Sequence, residues 1–206
     1  GGGTVFSILH GRGELGRANR PFTISAVLGT AFSLLFALLG LVAAEPIAFL
    51  LGATEETALY TTTYLRVILL FSPAFILNNI MTAFVRNDGN PHLAMAAMTI
   101  STLTNIVLDY VCIYPLKPGM FGAALATGLG SVLGLLIQLT PFLRRGNSLR
   151  LQRIRPTVRE TLQIMRCGIS NFLTAFSAGI VILAFNALIL RLAGHTGVAA
   201  SGIAAN

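Results

Sequence analysis

Ser101-Thr102-Leu103-Thr104-Asn105-Ile106-Val107-Leu108-Asp109-Tyr110 lies inside a long apolar segment, and Asp109 is the one acid within any such segment of the sequence. A lone carboxylate in hydrocarbon costs roughly 2.5–3.5 kcal/mol on insertion scales, and more by other estimates. Function is the usual reason such a cost is borne. Asn105 sits one helical turn before Asp109, so the two project from the same face. Asp109 lies six residues before Pro115, or about 9 Å from that end of its helix. Burial there favours the neutral carboxyl. Such a group can take up a proton or a cation and release it on a conformational change. The alternative is a structural acid, hydrogen-bonded to Asn105 or a tyrosine.

The rest of the chain has the composition of a membrane protein. Of its 206 residues 54% are hydrophobic and 10% charged, with a mean hydropathy of +0.78; soluble domains carry about 25% charged residues. The chain opens on Gly1 without a Met and stops at Asn206 without a polar tail, so it reads as a piece of a longer protein. Searching for stretches of about 20 apolar residues gives the tail of a helix at 1–9, then complete spans at 22–44, 64–85, 92–114, 121–143 and 169–192. Pro21 opens the first of these, and Pro73 should kink the second. Between them, 47–52 reads as an interfacial step and 53–63 as an exposed turn leading into a helix. Residues 144–167 form a basic connector whose 157–165 part has the apolar spacing of a helix lying on the membrane surface. Residues 194–206 read as a turn and the opening of another helix. The fold class is all-α, a polytopic transmembrane bundle.

Arginine and lysine set the orientation. Alternating spans put Arg12, Arg17, Arg20, Arg86 and the seven arginines from Arg144 to Arg166 on one side, against Arg66, Lys117 and Arg191 on the other. The arginine-rich side is expected to be cytoplasmic. This arrangement also accounts for the net charge of +7 without nucleic acid as a partner. The two cysteines, Cys112 and Cys167, fall near opposite faces and should not pair. His10, His92 and His195 lack ligand spacing, which argues against a metal site. No Gly-Lys-Ser or Gly-Lys-Thr occurs, so ATP is not expected to bind.

Other polar residues in the spans are fewer. Gly122, Ala126, Gly130 and Gly134 repeat every fourth residue, a stripe that lets a neighbouring helix approach closely. Thr127 lies beside it and could face the same cavity as Asp109. Asn78 and Asn79 are mid-span; one is expected to face the bundle interior, where it would line the cavity. Asn186 is the strong polar group deep in the last span, with packing or cavity lining as its two readings. Tyr110 and Tyr114 fit an interfacial aromatic belt, and Gln138 a simple interface.

At these residues the sequence resembles the multidrug and toxic compound extrusion (MATE) family. The matching stretches are 2–13 (GGTVFSILHGRG), 46–54 (PIAFLLGAT), 84–95 (FVRNDGNPHLAM), 105–109 (NIVLD), 119–127 (GMFGAALAT) and 197–206 (GVAASGIAAN). They follow the family's order and spacing along almost the whole chain. The resemblance implies a twelve-helix protein of two six-helix lobes. Residues 1–143 would then be the N-lobe from the end of helix two to helix six. Residues 144–167 would be the inter-lobe link, and 168–206 the start of the C-lobe. It further implies efflux of cationic or amphipathic compounds in exchange for protons or sodium ions, with no cofactor, no enzyme activity and no obligatory protein partner. Asn105, Asp109 and Thr127 match the family's ion-coupling residues of the N-lobe. Some members also use an acid on helix seven, where this chain has no carboxylate and offers Asn186. Two other readings compete. A flippase for lipid-linked precursors should show basic residues within the spans to hold phosphate, and these spans have none. A membrane-embedded enzyme would need a second catalytic group beside Asp109.

Overall fold

The computed structural model describes residues 1–112, 120–143, 149–154 and 156–204, without the side chains of Leu15, Leu143, Asn186, Ala187 and residues 190–204. The described residues form helices joined by short turns: α1 (Gly2–Gly11), α2 (Leu15–Val42), α3 (Ala44–Leu50), α4 (Glu55–Leu70), α5 (Ser72–Asn87), α6 (Pro91–Val111), α7 (Met120–Leu143) and α8 (Val158–Ala204). Four of them, α2, α6, α7 and α8, are individually long and apolar enough to cross a membrane, and the bent pair α4–α5 makes a fifth. These correspond to the five spans read from hydropathy.

The local sequence explains most boundaries. Gly13, with φ of +76°, turns the chain between α1 and α2, so the polar segment 10–20 is largely helix rather than loop. Pro21 consequently lies inside α2 instead of opening it. Thr54 and Thr57 form a capping box at the start of α4, and Glu55 and Glu56 oppose the positive end of its dipole. Pro73 cannot donate to the preceding turn, and the chain breaks at Phe71 with a 50° bend between α4 and α5. There the Ser72 hydroxyl donates to the Ser33 carbonyl at 2.8 Å, tying the break to α2. Gly89, with φ of +88°, makes the turn into α6.

The far end of the chain differs from the sequence expectation. In place of a surface helix at 157–165, a separate span and a turn near Gly194, one helix runs from Val158 to Ala204. Neither Pro nor a Gly pair interrupts this stretch, so local propensity favours continuation. Thr157 and Glu160 start it: the Thr157 N–H donates to the Glu160 carboxylate at 3.2 Å. Large apolar side chains beyond Ile169, including Phe172, Phe176 and Phe185, are exposed.

The core sits at the arginine-rich end. Phe6 and Phe22 meet Phe84 edge-on at 5.3 and 5.1 Å, and Phe142 stacks on Phe22. Leu149 from the connector is only 1% exposed within this cluster. Two backbone hydrogen bonds hold the connector along α2: Arg150 N–H to Asn19 Oδ1 at 2.9 Å and Gln152 N–H to Thr23 Oγ1 at 3.1 Å. Arg20 pairs with Glu160 at 2.8 Å. The connector is therefore strapped to the bundle. Leu149→Ala should cost about 2–5 kcal/mol, the usual range for emptying a buried leucine site. Limited trypsin digestion of the full-length protein checks this: cleavage after Arg150 and Arg153 is expected to accelerate in the variant.

Candidate functional site

Helices α6 and α7 run antiparallel, and the small residues of α7 decide how close they come. A Cβ on Gly130 would lie 2.8 Å from the Ser101 carbonyl oxygen and 3.3 Å from the Asn105 Cβ. One on Gly134 would lie 3.1 Å from both Asn78 Oδ1 and the Ser101 Cβ. The missing side chains allow the Ser101 hydroxyl to donate to the Gly130 carbonyl at 2.7 Å. One turn along, Asn105 Nδ2 donates to Thr127 Oγ1 at 3.1 Å. The Thr127 hydroxyl in turn donates to the Ala123 carbonyl at 3.0 Å. Asn105 and Thr127, both singled out in the sequence, are thus bonded partners.

Asp109 stands one turn beyond Asn105, two residues from the last residue of α6. Its Oδ1 is buried and has no hydrogen-bond partner among the described residues. Asn105 gives its amide hydrogen bond to Thr127 rather than to Asp109, and Tyr114, one of the tyrosines that could satisfy the acid, lies outside the described residues. A buried acceptor with no donor is satisfied by a proton, an ordered water or a cation. Asp109 and Asn105 on α6 and Thr127 on α7 are all oxygen-bearing side chains, and only the Asn105–Thr127 pair is joined by a described hydrogen bond. Tyr110, the next residue, is 65% exposed, as an interfacial belt residue should be.

A second polar group lies further along α7. Gln138 is 0% exposed, and its amide nitrogen donates to Asn78 Oδ1 at 2.7 Å and Thr82 Oγ1 at 2.9 Å. The Thr82 hydroxyl donates back to the Asn78 carbonyl. Asn78 thus faces the interior, whereas Asn79 is exposed and bonds the Phe75 carbonyl of its own helix. Gln138 is not the simple interface residue expected. Its signal was present in the sequence, because it continues the Gly130, Gly134 step by another four residues. Thr82 likewise sits four residues after Asn78. The Asn186 side chain lies outside the described residues, as do Tyr114 and Lys117. Cys112 and Cys167 are both free.

Gly128 backs the bend between α4 and α5: a Cβ there would come within 2.5–2.8 Å of the Phe71 ring. Gly16, by contrast, has open space around it. Gly128→Ala should therefore destabilise the purified full-length protein by about 1–3 kcal/mol, as overpacking does. Gly16→Ala should leave it unchanged, with thermal unfolding of the two variants as the comparison.

Comparison with known proteins identifies the family and the fold. A family profile described as MatE matches residues 1–111. Multidrug export protein MepA of Staphylococcus saprophyticus is 33% identical over 98% of this chain and 45% of its own length. Two solved structures superimpose closely. One is an inward-facing conformation of a multidrug resistance MATE family transporter of the MOP superfamily, with TM-score 0.88 and 26% identity over 96% of this chain and 46% of that one. The other is the MATE multidrug transporter DinF-BH in complex with a small-molecule ligand, with TM-score 0.89 and 27% identity over 98% and 46%. The chain spans about half the length of the relatives it matches. With the profile covering more than half of its residues and the fold shared along nearly its whole length, the chain belongs to the MATE family of membrane transporters.

Proposed function

We propose that this chain forms the ion-coupling half of a secondary multidrug antiporter, exporting cationic or amphipathic small molecules in exchange for protons or sodium ions. The observation that carries the reading is the unpartnered Asp109 Oδ1 one turn from the Asn105–Thr127 pair. The relatives support the substrate class, since one is named a multidrug export protein and another, a multidrug transporter, was solved with a small molecule bound. Asp109 alternates between a neutral, ion-loaded form and an ion-free carboxylate. The second form is costly in hydrocarbon, so it favours a conformation in which the site is wetted. That difference between states is what lets an ion gradient bias the direction the cavity faces.

The protein resides in the cell membrane, the bacterial inner membrane, with the arginine-rich end in the cytoplasm. Arg20, Arg150 and the Asp88 turn share one end of the bundle: Arg20 touches Glu160, Arg150 bonds Asn19, and His10 approaches Asp88 at 3.9 Å. One end holding these arginines is what the positive-inside rule requires of a cytoplasmic face. The coupling ion and the transported compound are the partners; no cofactor is required.

Asp109→Asn in the full-length protein keeps the side chain's shape and removes its ionisation. Ion-driven drug efflux in vesicles is expected to fall by at least about tenfold, or roughly 1.4 kcal/mol or more of coupling, with expression unchanged. Efflux at the original rate, with proton and sodium dependence intact, would refute the role. Asn105→Ala should alter the pH and sodium profiles of transport more than the expression level.

A further inference from the structure

The two polar groups on α7 are joined. Gly130 is flanked by Ser101 and Asn105, and Gly134 by Ser101 and Asn78. Gln138 then bonds Asn78 and Thr82. From Asp109 the polar side chains pass in sequence through Asn105 with Thr127, Ser101, Asn78 and Gln138 with Thr82. Each step is a hydrogen bond, a close approach across a glycine or one helical turn. From Thr127 to Gln138 the file covers about 16 Å along α7, or about half the hydrocarbon thickness. It ends towards the arginine-rich side, five residues before the end of α7.

Both ends of this file carry an orphaned acceptor. Asp109 Oδ1 is one, and Gln138 Oε1 is the other, buried in a fully enclosed side chain with no hydrogen-bond partner among the described residues. A buried amide carbonyl without a donor is costly, and Gln138 cannot turn its carbonyl towards Asn78 or Thr82 without losing the two bonds its amide nitrogen makes. Ordered water is the ligand that repairs such sites. The Ser101 hydroxyl and the Asn78 side chain lie beside Gly134, between the two ends.

We propose that Gln138, with Asn78 and Thr82, forms a buried water-binding site that hydrates the coupling cation on its way between Asp109 and the arginine-rich side. Gln138 acts as a positioning residue: it holds water in the file and does not bind the drug. This rests on the antiport reading above, and the two can fail separately, because Asp109→Asn tests the site and Gln138 variants test only the route.

The test uses the full-length protein in proteoliposomes, measuring the maximal rate of gradient-driven drug transport, its pH profile, and drug affinity by equilibrium binding. Gln138→Leu keeps the volume and removes both amide atoms. It is expected to slow transport about tenfold and flatten the pH profile while drug Kd stays within about twofold, a rate-without-affinity effect. Gln138→Glu, which in its neutral form donates an O–H to Asn78 and accepts from water through its carbonyl oxygen, is expected to recover most of the rate. A leucine variant with the original rate and pH profile overturns the proposal. So does equal slowing in the leucine and glutamate variants, which would mark Gln138 as a packing residue only. If Gln138→Leu does not reconstitute, Thr82→Val serves in the same assay: slowing at constant Kd supports the route, and an unchanged rate overturns it.

Discussion

The close approach of α6 and α7 across Gly130 and Gly134 is the constraint on which the polar interior depends. Lipid offers no hydrophobic drive to bring helices together, so small residues and interhelical hydrogen bonds must do it. The Ser101 hydroxyl reaches the Gly130 carbonyl because no Cβ stands between the helices. A bond of this kind is worth about 0.6 kcal/mol on average in a membrane bundle. The larger effect is geometric: it fixes the register in which Asn105 meets Thr127. Asp109 is left with a buried acceptor that no described residue satisfies. The proposed ion site builds on that packing.

The packing differs between the two ends of the bundle. At the arginine-rich end, aromatic stacking among Phe6, Phe22, Phe84 and Phe142 is closed by Leu149 from the connector. Asn19 and Thr23 accept backbone bonds from that connector. The Arg20–Glu160 pair adds about 0–1 kcal/mol at its partly exposed position. Further along α8 the apolar side chains are exposed. The 50° bend at Phe71 places α5, with Asn78 and Thr82, against α7, so the break at Pro73 shapes the site as well as the helix.

The spans and the pairing of Asn105 with Asp109 on one face were legible in the sequence, because hydropathy and a four-residue period are properties of the chain itself. The start of α2 was less so: the apolar span opens at residue 22, yet a helix accepts charged residues at its exposed ends, and α2 begins at Leu15. The length of α8 was misread because a change from basic to apolar composition is no break in backbone propensity. Within the site, the bond between Asn105 and Thr127 depends on the register of two helices, which one strand of sequence does not specify. Gln138 was undervalued for a related reason. Its position near a helix end suggested an interface, and only packing against α5 reveals that it is fully enclosed.

The central claim is that Asp109 changes its protonation or ion occupancy as the transporter works. Infrared difference spectroscopy of the full-length protein, drug-loaded minus drug-free, reads this through the carbonyl stretch of a protonated carboxyl group and the carboxylate stretches of an ionised, cation-bound one. The account predicts a carboxyl or carboxylate band that changes on drug binding and vanishes from the difference spectrum of the Asp109→Asn protein. The same bands in both proteins, or none of either kind in both, would contradict it.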